Sequence, residues 1–204
     1  MQDIANKIVN RIYGHSKGWC FTPKDFVDLG GPESVRIKLF RLAKRQIIRR
    51  LAKGLYDYPD EHEQLGLLSP NPDTVAEALA RHDRIRVQPT GAYAANLLGL
   101  SEQVPAKVVY LTEGRARRVK LGNREIRLKQ TTSQHMATAG RISGTVIQAL
   151  RYIGNDRLTA VHLRTLQRKL NAADKKCLRT DLIHAPAWMH KWLRQICEEK
   201  RSNA

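Results

Sequence analysis

Between Ser34 and Tyr56 the chain carries eight basic residues, Arg36, Lys38, Arg41, Lys44, Arg45, Arg49, Arg50 and Lys53, and no acidic one. Guanidinium and ammonium groups at this density, with no carboxylate among them, suit phosphate oxygens and the base edges of a duplex. Any single one of these cations is as readily the solvated side of an amphipathic helix; the acid-free run as a whole points to DNA. A looser cluster follows in residues 115–129, where Arg115, Arg117, Arg118, Lys120, Arg124, Arg127 and Lys129 stand against one acid, Glu125.

The first cluster needs a helix and a hairpin to present it. Ile4, Ile8 and Ile12 recur at helical spacing behind Asp3, which predicts a first helix ended by the stretch from Gly14 to Gly18. Trp19-Cys20-Phe21 reads as a small strand. Thr22-Pro23-Lys24-Asp25 reads as an N-cap with proline at the first helical position, opening a short helix through Phe26, Val27 and Leu29 that Gly30-Gly31 stops. Pro32 and Glu33 open a third helix, on which Val35, Leu39 and Leu42 form an apolar stripe while Ser34, Ile37, Lys38, Arg41, Lys44 and Arg45 point away from it. Ile47 to Arg50 and Leu55 to Tyr58 are strand-like pieces turned at Gly54. Helix, short helix, charged helix and hairpin in that order make a winged helix-turn-helix. The candidate DNA-binding residues are then Ser34, Arg36, Lys38, Arg41, Lys44 and Arg45 on the third helix, with Arg49, Arg50 and Lys53 of the wing on the flanking backbone.

The Pro-, Gly- and acid-rich stretch from Asp57 to Pro72 reads as a linker, and His62 within it as part of a solvated loop rather than a metal ligand. Beyond it, Asp73 to His82 is a helix, Ile85 to Pro89 a strand, and Ala92 to Leu98 a small-residue helix capped by Thr90. With no P-loop and no GxGxxG, close packing is the better reading of Gly91 and the alanines. Val108 to Leu111 is a strand. Arg117 to Leu121 and Ile126 to Lys129 alternate across a Gly122-Asn123 turn, a second basic hairpin whose cations form either a solvated sheet face or an anion-binding surface. Helices follow from Met136 on, with Trp188 and Trp192 read as core. The fold class is α+β: a winged helix-turn-helix in residues 1–60, then a mixed α/β domain with a C-terminal helical bundle in residues 73–204.

Over its 204 residues the chain has 36 Lys and Arg against 19 Asp and Glu, a net +17, and its apolar content of 42% is too high for a disordered basic tail. No apolar run approaches the roughly 20 residues that span a bilayer. Met1-Gln2-Asp3 does not open a signal sequence, so no membrane partner is expected and the chain is expected in the cytoplasm. Cys20, Cys177 and Cys197 are odd in number and far apart, which argues against a disulfide framework or a paired-cysteine metal site. A nuclease or nucleotidyltransferase needs clustered carboxylates, and neither these nor an HExxH motif occurs. The expectation is a protein that is not an enzyme and takes no metal or cofactor. The alternatives kept beside a DNA-binding repressor are a basic scaffold for RNA or the ribosome and a nucleic-acid-processing enzyme.

Several stretches resemble the AbiEi-type antitoxins of bacterial type IV toxin–antitoxin systems. They are residues 18–26 (Gly-Trp-Cys-Phe-Thr-Pro-Lys-Asp-Phe), 54–59 (Gly-Leu-Tyr-Asp-Tyr-Pro), 88–100 (Gln-Pro-Thr-Gly-Ala-Tyr-Ala-Ala-Asn-Leu-Leu-Gly-Leu) with Val104-Pro105, and 136–141 (Met-Ala-Thr-Ala-Gly-Arg). The resemblance implies a bifunctional protein of phage defence. Its N-terminal domain would bind double-stranded operator DNA and repress its own operon, and its C-terminal domain would counter a cognate nucleotidyltransferase toxin. The expected state is a monomer or weak dimer.

Overall fold

Ile8 and Ile12 lie one turn apart on α1 (Ile4–Tyr13) and are both fully buried, as the spacing of the isoleucines requires. They close a core with Phe21, Phe26, Val35, Leu39, Leu42, Ile48 and Tyr56. Burial of each such side chain stabilises by about 2 kcal/mol before chain entropy is counted. In the computed structural model, which describes residues 4–198, this core belongs to the first of two compact units. One unit runs through Ile85 and takes in Arg118–Ile126; the other comprises Arg86–Arg117 and the residues from Arg127 on.

In the first unit α1 is followed by β1 (Cys20–Phe21), a single 3-10 turn (Pro23–Phe26), α2 (Pro32–Lys44), β2 (Arg49–Ala52) and β3 (Leu55–Asp57). The strands pair antiparallel in the order β1-β3-β2. The second helix expected to run through Leu29 is thus only the 3-10 turn, with Thr22 N–H donating to Asp25 Oδ2 at 2.7 Å. Arg11 forks onto the Asp28 carboxylate at 2.7 and 2.6 Å and gives a further hydrogen bond to the Asp25 carbonyl at 2.9 Å, fastening α1 to the segment before α2. That guanidinium holds the Asp28 carboxyl down at about 2.

The Pro-rich stretch forms a two-stranded ribbon, β4 (Glu61–His62) and β5 (Gly66–Leu67), and leads into α3 (Pro72–Asp83). The two compact units do not part here but after Ile85, because α3 is tied back to the start of the chain. Arg81 donates to the Cys20 carbonyl at 2.8 Å and pairs with Asp25 at 3.3 Å; Lys24 donates to the His82 carbonyl at 2.8 Å. Burial beside Thr74 of α3 pushes the Cys20 thiol up to about 11.

The second unit begins with β6 (Val87–Thr90) and α4 (Gly91–Leu97), and its β7 (Lys107–Thr112) lies in a sheet ordered β6-β7-β9-β8; of β8 (Arg117–Leu121) and β9 (Arg124–Gln130), the stretch Arg118–Ile126 belongs to the first unit and the rest to the second. Four helices complete it: α5 (Ile142–Ile153), α6 (Ala160–Lys169), α7 (Ala172–Thr180) and α8 (His190–Cys197). Ala94 and Ala95 of α4 and Val146, Ala149 and Leu150 of α5 share one core with Leu166, Leu178, Leu193 and Ile196. Gly144 has to be glycine, since a Cβ there would collide with Gln88 Oε1 and the Thr138 carbonyl. The buried carboxylate of Asp181 takes donors from Arg141 at 2.6 Å, from Ser143 Oγ, and from Cys177 Sγ at 3.7 Å, joining the start of α5 to the end of α7. Trp192 packs against this core and donates Nε1–H to Asn155 Oδ1 at 3.0 Å, while Trp188 stays 37% exposed, outside the core expected for it. Among the described residues no helix is long and apolar enough to cross a membrane.

Candidate nucleic-acid interface

The geometry of α2 follows from its two ends. Gly31 enters extended and Pro32 sits at the first helical position. At the other end Gln46 takes a left-handed conformation (φ 58°), and Ile47 N–H closes onto the Leu42 carbonyl at 3.1 Å. Between them Val35, Leu39 and Leu42 are buried. The opposite face carries Arg36, Ile37, Phe40, Arg41 and Lys44, all exposed. Ser34 and Lys38 are half-buried at its margins, and Arg45 is exposed just past the last turn. Glu33, in the first turn, lies 3.5 Å from Arg36, with both side chains largely in solvent, a pair that adds little stability. The Lys44 ammonium stands over the Phe40 ring, 5.1 Å from its centroid.

The hairpin that follows does not offer all its cations. Ala52 pairs with Leu55 across the Lys53-Gly54 turn, where Gly54 has φ +73°. A regular ladder from that turn would set Arg50 opposite Asp57. A bulge between Arg50 and Ala52 instead puts Arg50 opposite Tyr56 and Arg49 opposite Asp57. Arg49 grips the fully buried Asp57 carboxylate with Nε at 3.1 Å and Nη2 at 2.5 Å, and Nη2 also donates to the Leu68 carbonyl at 2.9 Å. Its guanidinium is held still more firmly protonated by that carboxylate. Arg49, expected on the nucleic acid, is therefore a structural cation at the base of the β2–β3 hairpin; an unpaired Asp57 in this position would be costly. Arg50 and Lys53 remain exposed.

The second basic cluster forms the hairpin β8–β9. Val119, Leu121, Ile126 and Leu128 turn inward at every second position. Arg118, Lys120, Arg124 and Lys129 are exposed on these strands, as is Arg115 just ahead of them, whereas Arg117 and Arg127 are half-buried.

The structure thus brings Arg36, Arg41, Lys44, Arg45, Arg50 and Lys53 of the first cluster to the surface, with Lys38 and Ser34 at the edge and Arg49 withdrawn onto Asp57. The sequence reading left out two residues that matter. Phe40 was legible, since it falls outside the Val35, Leu39 and Leu42 stripe; Asp57 was not, because its partner depends on a bulge. Among the described residues no group of three or more His, Cys, Asp or Glu could hold a metal ion. No curated protein matches the sequence. The profile of a family of unknown function (DUF6088) matches residues 7–178.

Proposed function

The chain belongs to the DUF6088 family, and we propose that its first unit is a winged helix-turn-helix that binds double-stranded operator DNA, with α2 in the major groove and the β2–β3 turn as the wing. One observation carries this reading: the exposed face of α2, with Arg36, Arg41 and Lys44, stands opposite a fully buried face. The element order and the β1-β3-β2 sheet also support it. In this reading Arg41 and Arg36 reach base edges, Lys44 and Arg45 meet phosphates at the end of the helix, and Arg50 and Lys53 grip the flanking backbone.

The experiment is fluorescence anisotropy with a promoter fragment of the protein's own operon and an unrelated duplex. Arg41→Ala is expected to weaken binding to the promoter about tenfold or more and to spare the unrelated duplex. Unchanged promoter affinity in Arg41→Ala overturns the assignment of α2. Repression of the operon is the expected consequence of that binding.

For the second unit we propose the antitoxin role, countering a nucleotidyltransferase toxin. Its support is the resemblance of residues 88–100 and 136–141 to AbiEi-type antitoxins. Co-expression of the full chain with the product of the neighbouring gene is expected to restore growth, for the wild type and for Arg41→Ala alike. Persistent toxicity counts against this half of the function.

A further inference from the structure

Ile37 and Phe40 on the outer face of α2 have no part in gripping phosphates, yet they are 43% and 47% exposed. The core behind them is already closed by Val35, Leu39 and Leu42, so neither side chain has a place inside. They stand one turn apart on the same face as Arg36, Arg41 and Lys44, with the Lys44 ammonium over the Phe40 ring.

Nearly everything a major groove displays is a hydrogen-bond donor or acceptor; the one apolar group is the C5 methyl of thymine. A face with cations for phosphates and guanine edges has use for an apolar pair where such a methyl stands. A protein partner fits less well, because the cores of protein interfaces are depleted in charge and this pair is bracketed by three cations. A second copy of the same face would bring those like charges together.

We propose that Ile37 and Phe40 are specificity determinants that contact thymine methyl groups in the major groove. This deepens the DNA-binding reading of α2 and rests on it.

The test uses the full chain. Duplexes are selected from a random library, and the best of them is remade with uracil for each thymine in turn, which removes the methyl and keeps every hydrogen-bonding group. The wild type is expected to lose about fourfold in affinity at each contacted position. Phe40→Ala is expected to bind the thymine and uracil duplexes alike at one of those positions, and Ile37→Ala at another; Phe40→Leu keeps part of the preference. Equal binding of thymine and uracil duplexes by the wild type, or full preference retained in Phe40→Ala, overturns the inference while leaving DNA binding in place. If no duplex is selected at all, the DNA-binding reading itself fails. A Phe40-dependent dimer in sedimentation velocity without DNA would assign the pair to self-association and also overturn the inference.

Discussion

The exposed faces of α2 and of the β8–β9 hairpin are both rich in arginine and lysine, but they differ in what accompanies the cations. On the hairpin Val119, Leu121, Ile126 and Leu128 all turn inward, and the alternate positions hold Arg118, Lys120, Glu125, Arg127 and Lys129, as solvation alone would arrange them. On α2 the inward stripe is complete with Val35, Leu39 and Leu42, and the outer face still holds Ile37 and Phe40 among its cations. Solvation accounts for the cations on both faces; the apolar pair on α2 is what the proposed DNA contact would use. Positive charge by itself is therefore a poor marker of an interface, and a mixture that solvent would not favour is a better one.

The comparison is tested first by stability, where the largest effect is expected. Arg49→Ala strands the buried Asp57 and is expected to cost about 3 kcal/mol in urea denaturation. Arg50→Ala, one residue along, should stay within about 0.5 kcal/mol of the wild type. If the two variants melt alike, Arg49 belongs with the contact residues after all. Arg49→Met with Asp57→Leu is expected to recover most of the loss, because no unpaired charge is then left inside.

Affinity sharpens the contrast further. Replacing Arg50 and Lys53 together by alanine should flatten the dependence of promoter binding on salt by about two units of slope, whereas Arg118→Ala with Lys120→Ala should leave the slope as it is. A β8–β9 variant that flattens the slope as much as the Arg50 and Lys53 variant would make the second cluster part of the DNA footprint.

The smallest effect concerns the platform behind α2. The Asp28 carboxyl is held at about 2 by Arg11, below its ordinary value of 3.8. A depressed carboxyl contributes stability that is fully present above its unfolded value and is lost as the pH falls through the folded one. The contribution should fade between about pH 4 and about pH 2, and Asp28→Asn should flatten the acid limb of stability there while leaving the neutral region nearly unchanged.

Much of the α2 face was legible because helical spacing is local: Val35, Leu39 and Leu42 announce the buried side and place Arg41 and Lys44 opposite. The β8–β9 hairpin was legible for the same reason, its Gly122-Asn123 turn lying between two alternating runs. What escaped depended on distance or on one-residue geometry. Arg81 reaches Asp25 and the Cys20 carbonyl from another part of the chain, so α3 joined the first unit although the Pro-rich stretch before it looked like a boundary. The role of Arg49 turned on a bulge that no pattern of residue types marks.

That bulge divides the β2–β3 hairpin into a fixed base and an adjustable tip. The extra residue is Leu51, and its deletion would leave Arg49 opposite Asp57 and Ala52 opposite Leu55, because both pairs lie outside it. The anchor would survive while the tip, with Lys53, was re-aimed. Single-residue insertions and deletions between the two pairs would thus re-aim the tip of the hairpin without disturbing the Arg49–Asp57 anchor at its base.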